Sequence, residues 1–149
     1  MANPDSVGQK YSDSFGSYAI ASATGVSLAT TGNAVVALPI LSGGLTAGNS
    51  VATSGAVIVR RVTIQNPNKD VSTGNITILS SSDGNTSNAV VAAVTLSSLS
   101  ATGTFQDVAV SGGNVIVSGY NTQALFVKVG TAVTGGTVDI RVYGDTVNF

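Results

Sequence analysis

The 149-residue chain offers few side chains able to do chemistry: three Lys, three Arg, seven Asp and four Tyr, with no Glu, His, Cys or Trp. It therefore lacks the commonest general base, the thiol nucleophile and the usual ligands of transition metals. A serine nucleophile would have to use Lys10, Lys69 or Lys128 as its base, and no Gly-x-Ser-x-Gly elbow is present. Serine occurs nineteen times, so its abundance marks a compositional bias rather than a site. Paired carboxylates for glycoside chemistry would both be aspartates. The neighbouring pairs, Asp5 with Asp13 and Asp139 with Asp145, fall in an N-terminal arm and on a solvent-facing strand end, where solvated surface is expected. Asn66-x-Asn68-x-Asp70 has the odd-position oxygens of a calcium loop without its Gly and bidentate Glu, and so reads as a polar turn. Gly-rich stretches lack the Gly-Lys-Ser/Thr ending of a phosphate cradle. The expectation is a protein that is not an enzyme and uses no cofactor or metal.

Two aromatic residues invite a binding role. Tyr120 sits in a turn, and Tyr143 lies on the polar face of the last clear strand, where a ring can stack on a sugar or a protein partner. Nucleic acid is not an expected partner, because six basic residues against seven acidic ones give a net charge of −1 and the only adjacent basic pair is Arg60-Arg61. Membrane is not expected either. The mean hydropathy of +0.38 comes from Val and Ala interleaved with Ser, Thr and Gly, and no run approaches a membrane span. Met1 to Lys10 has neither a basic start nor an apolar stretch, so no signal peptide is read and synthesis in the cytoplasm is the default.

The elements that must position these residues read as strands. With 22 Val and 17 Thr and no Glu, the composition disfavours helix and suits pleated, half-buried surfaces. Short apolar pieces between Tyr18 and Leu38 are separated by Gly25 and by Thr31-Gly32-Asn33, both read as turns. Ala56 to Gln65 changes the parity of its apolar positions at Arg60-Arg61, with Val57 and Val59 on one side and Val62 and Ile64 on the other, which predicts a bulge there. Asn75 to Leu79 is a strand with Ile76 and Ile78 inward, followed by a turn at Asp83-Gly84-Asn85. Ala89 to Leu96 is almost continuously apolar and predicts a strand covered on both faces. Phe105 to Val110 alternates, with Phe105 out of step at its start. Leu125, Val127 and Val129 oppose Phe126 and Lys128; Val138, Ile140 and Val142 oppose Asp139, Arg141 and Tyr143. Thr134-Gly135-Gly136 is read as the turn of a hairpin that brings Lys128 and Asp139 together. About eight short strands with regularly spaced turns predict an all-β, antiparallel β-sandwich, a jelly roll or related Greek key, over residues 17–149.

Residues 1–16 read as an extended N-terminal arm. It carries three of the charged residues (Asp5, Lys10 and Asp13), and Tyr11 and Phe15, with Tyr18 just beyond, are candidate anchors on a partner because their rings would gain little in solvent. A surface poor in Lys, Arg and Glu has little side-chain entropy to lose on ordering and few charges to protect strand edges. Lasting self-association or lattice contact is therefore expected.

From Ser54 to Tyr143 the sequence resembles small β-sandwich proteins of tailed-phage heads. The pattern runs through Gly55-Ala56-Val57-Ile58-Val59-Arg60-Arg61-Val62-Thr63-Ile64-Gln65-Asn66, then Gly74-Asn75-Ile76-Thr77-Ile78 with its Asp-Gly turn. It ends in the Leu125 to Gly130 strand, which leads through Thr131 to Gly136 into Thr137-Val138-Asp139-Ile140-Arg141-Val142-Tyr143. The resemblance implies a virion structural protein, a decoration or cement protein on the capsid exterior. It further implies that the major capsid protein is the partner, that the arm reaches a neighbouring subunit and that the protein is a homo-oligomer, with a trimer favoured. A different reading is a minor vertex, tail or fibre/adhesin head domain that binds a receptor or carbohydrate. It would need clustered exposed aromatics or a calcium site, and the absence of Trp with only four Tyr counts against it.

Overall fold

The computed structural model describes residues 19–32, 35–39, 55–111, 116–118 and 124–148. Among them are nine strands: β1 (Ala19–Ser27), β2 (Val35–Pro39), β3 (Gly55–Gln65), β4 (Asn75–Leu79), β5 (Ala89–Thr95), β6 (Phe105–Val108), β7 (Ile116–Ser118), β8 (Ala124–Thr131) and β9 (Thr137–Asn148). They form two antiparallel sheets. One has the order β1-β9-β3-β6, with β7 also paired to β3; the other has the order β2-β8-β4-β5. The pairs nest, with β1 on β9, β2 on β8, β3 on β6 and β7, and β4 on β5. The chain thus runs like one long hairpin whose tip is β4–β5 and whose arms are shared between two sheets.

The inner faces meet in a single core. Ile20, Val59, Val62, Ile64, Ile140 and Val142 of the first sheet pack with Ile76, Ile78, Leu125, Val127 and Val129 of the second, which makes the fold a β-sandwich. Each such side chain contributes about 1.5–3 kcal/mol through removal of apolar surface from water. The alternation legible in β8 and β9 is the one observed. The bulge in β3 is also where the parity change puts it: the register against β9 shifts between Val59 and Arg61, Val59 and Val62 are buried, and both Arg60 and Arg61 are exposed.

Three expectations are corrected. Gly25 does not end a strand; it is a bulge within β1, with φ +63 and a register shift against β9 between Ala23 and Val26. Its N–H donates to Asp139 Oδ1 at 2.9 Å, so the glycine serves a cross-strand bond rather than a reversal. The strands β8 and β9 do not form a hairpin, because they belong to different sheets and the segment 132–136 arches between them. Lys128 consequently does not meet Asp139; its Nζ donates to the Gly84 carbonyl at 2.9 Å. Finally, β5 is an edge strand whose Ala89 to Val91 are buried while Ala92 and Ala93 are exposed, so it is not covered on both faces. Alanine is small enough for that exposure to cost little.

The edge of β5 is met from within the chain. Ser111 donates its N–H to the Val90 carbonyl at 2.7 Å and accepts the Ala92 N–H on its hydroxyl at 2.9 Å. Gln106 Nε2 donates to the Thr95 carbonyl, also at 2.9 Å. Groups that would otherwise template another strand are thereby paired.

The turn after β3 clamps the arch before β9. Asn66 adopts φ +51, a left-handed conformation that Asn tolerates better than most residues. Asn68 donates its N–H to the Thr137 carbonyl at 3.1 Å, accepts the Thr137 N–H on Oδ1 at 2.9 Å and donates Nδ2 to the Gly135 carbonyl at 2.9 Å. Lys69 Nζ adds a bond to the Thr134 carbonyl at 3.2 Å. Asn68→Ala removes two of these bonds and is expected to cost about 1–2 kcal/mol. In thermal unfolding that corresponds to a midpoint lower by roughly 2–8 °C. Asn68→Asp keeps the acceptor, loses the donor and should fall between; an unchanged midpoint for Asn68→Ala would contradict the clamp.

Candidate functional site

The two outer faces of the sandwich differ. On the second sheet the β4–β5 loop lies across the face, as the Lys128–Gly84 bond requires, and Thr77 and Leu79 are buried outside the inter-sheet core. That loop is held by Asp83, whose Oδ1 accepts the Asn85 N–H at 2.9 Å and whose Oδ2 accepts from Asn88 Nδ2 at 3.2 Å. The Asn85 N–H, with smaller help from the Ser81 and Asn88 side chains, keeps the Asp83 carboxyl below its ordinary pKa. Asp70 is lowered in the same way, chiefly by the Ser72 N–H, which donates to its Oδ1 at 2.9 Å.

The outer face of the first sheet is open and carries all three arginines of the chain. Arg60 and Arg61 reach it together because the β3 bulge turns two successive side chains outward, and Arg141 alternates with the buried Ile140 and Val142. Register sets the neighbours. Arg61 pairs with Tyr143, and its guanidinium lies 4.5 Å from the ring centroid, a cation–π contact worth about 0.5–1 kcal/mol at an exposed site. Thr63 lies between Arg141 of β9 and Asp107 of β6, and its hydroxyl donates to Asp107 Oδ1. Gln65 lies between Asp139 and Phe105.

Part of this face forms a shallow groove of about 310 Å³, bounded by Arg61, Thr63, Gln65, Asn66, Gly103, Thr104, Phe105, Asp107 and Tyr143. Phe105 is 64 % exposed and is the one large apolar side chain left open among the described residues. A ring, a carboxylate, an amide and a guanidinium in cation–π contact thus share one concave surface. Such a surface can bind through stacking and hydrogen bonds.

Of the residues singled out from the sequence, Tyr143 is in this groove. Tyr11, Phe15, Tyr18 and Tyr120 lie outside the described residues, as does the arm 1–16. The Asn66-x-Asn68-x-Asp70 side chains face three different partners, Asp139, the 135–137 segment and Ser72. Both described lysines donate to backbone carbonyls. Sequence reasoning missed Phe105 and Asp107. The out-of-step position of Phe105 in its alternating run was a signal for the first, whereas the second depends on the pairing of β6 with β3.

No family model, curated protein or solved structure matches the chain.

Proposed function

We propose that the chain is a virion structural protein, a decoration or cement protein that attaches to the major capsid protein lattice from outside as a homo-oligomer, with a trimer favoured. The observation that carries this reading is the strand order, β1-β9-β3-β6 facing β2-β8-β4-β5. We read this order as that of an eight-stranded jelly roll built from two Greek keys, with β7 as an addition, an architecture used by viral capsid and lectin domains. The composition supports it from a different side: 9 % charged residues leave few long side chains to immobilise on a permanent partner. The arm 1–16, with Tyr11 and Phe15 and with Tyr18 beside it, is the proposed anchor.

Mass spectrometry of purified particles tests the reading through copy number. A ratio to the major coat protein near one is the expected result, and absence from particles would overturn it. A few copies per particle would favour a vertex, tail or fibre head domain instead. Deleting residues 2–16 should abolish binding to undecorated capsids; undiminished binding would remove the arm from the proposal.

A further inference from the structure

We propose that the groove on the outer face of the first sheet binds a neutral saccharide, with Phe105 as the stacking platform and Asp107, Gln65 and Arg61 as its hydrogen-bonding groups. Saccharide binding in this groove does not require the protein to be part of a particle.

Charge selects the ligand class. The lining contains one guanidinium, Arg61, and one carboxylate, Asp107. An anion drawn to Arg61 meets the carboxylate, and a cation drawn to Asp107 meets the guanidinium. A hydroxyl-rich neutral ligand can use both, accepting from Arg61 and donating to Asp107.

The groove is also prepared for such a ligand. The cation–π contact with Tyr143 restrains the Arg61 guanidinium, which lowers the side-chain entropy lost when it donates. The Thr63 hydroxyl occupies Asp107 Oδ1 and fixes the carboxylate, while Oδ2 makes no hydrogen bond among the described residues. The Gln65 side-chain amide likewise makes none among the described residues. Planar carboxylate and amide groups bond well to adjacent hydroxyls, and the exposed Phe105 ring offers an apolar surface to the C–H face of a sugar ring. A volume of about 310 Å³ is at the small end of ligand sites, with room for one or two sugar rings.

The test is a glycan array carrying neutral, sialylated and sulfated oligosaccharides, probed with the full-length protein, followed by calorimetric titration of the strongest neutral glycan. Phe105→Ala and Asp107→Asn are the variants. The first removes an exposed ring, and the second keeps an acceptor for Thr63, so neither should move the thermal midpoint. Binding to neutral glycans that falls at least tenfold in each variant is the expected result. No binding to any glycan, preference for the sulfated or sialylated set, or full binding by Phe105→Ala would each overturn the proposal. Particle attachment measured alongside separates the two readings. Loss of attachment in Phe105→Ala without glycan binding by the unmodified protein would make the groove a protein-docking face, whereas intact attachment with lost glycan binding supports the saccharide site.

Discussion

Replacing Gly144 by alanine is expected to lower stability by about 3 kcal/mol or more, the upper range for overpacking a tight interior. The cause is the bulge in β3. Arg60 is the extra residue there, so the β3 backbone around Val59 presses toward the β9 position opposite, which is Gly144. A Cβ at Gly144 would overlap the carbonyl oxygen of Ile58 and crowd Ile20 Cδ1 at 3.1 Å. The carbonyl is backbone in the middle of a paired strand and cannot swing away. Against a typical total of about 5–15 kcal/mol, such a loss would leave a measurable unfolded fraction or a midpoint lower by roughly 6–12 °C. Gly130→Ala is the control. Its Cβ would meet Asn75 Oδ1 at 2.7 Å, but that atom is the end of a side chain that can rotate, so less than about 1 kcal/mol is expected. Equal midpoints for Gly144→Ala and the unmodified protein would mean that the strands do not approach as closely as described.

The same bulge shows what a sequence can reveal. Its position was legible because apolar parity is a local property: Val59 and Val62 can both point inward only if two residues between them point outward. The inward sets of β4, β8 and β9 were legible for the same reason. Whether Thr134-Gly135-Gly136 makes a hairpin or an arch was not, since two alternating strands joined by a Gly-rich turn give the same pattern in one sheet or in two. Gly25 reads alike as a turn or a bulge until its N–H finds Asp139 on a strand far along the chain. The groove was least legible of all. Thr63 and Asp107 lie 44 residues apart, and only the pairing of β3 with both β6 and β9 gathers Arg61, Tyr143 and Phe105 around them. Tyr143 was visible as an outward aromatic; its neighbours were not.

Leu99→Ala is expected to cost about 3 kcal/mol, as much as a truncation in the centre of a sheet, although Leu99 belongs to no strand. It lies in the loop between β5 and β6, and both it and Leu96 are fully buried. Backbone bonds tie that loop to the one before β4: Leu99 donates to the Leu96 carbonyl at 2.8 Å, Val71 to the Leu99 carbonyl at 2.9 Å and Leu96 to the Gly74 carbonyl at 2.9 Å. The two loops close one end of the sandwich, with Val71, Leu96 and Leu99 joining the core and Val133 packed against it. Two sheets alone bury only the faces they turn to each other, so an end without such a plug would admit water to the last core residues. Truncating Leu99 leaves a cavity that the bonded backbone cannot close, whereas Leu99→Met nearly conserves volume and should cost less than about 1.5 kcal/mol. Phe105→Ala deletes a larger ring from an open surface, yet should change stability by no more than about 0.5 kcal/mol. Urea denaturation of the three variants supplies the comparison. If Leu99→Ala unfolded at the same urea concentration as Phe105→Ala, the end plug would not be part of the core.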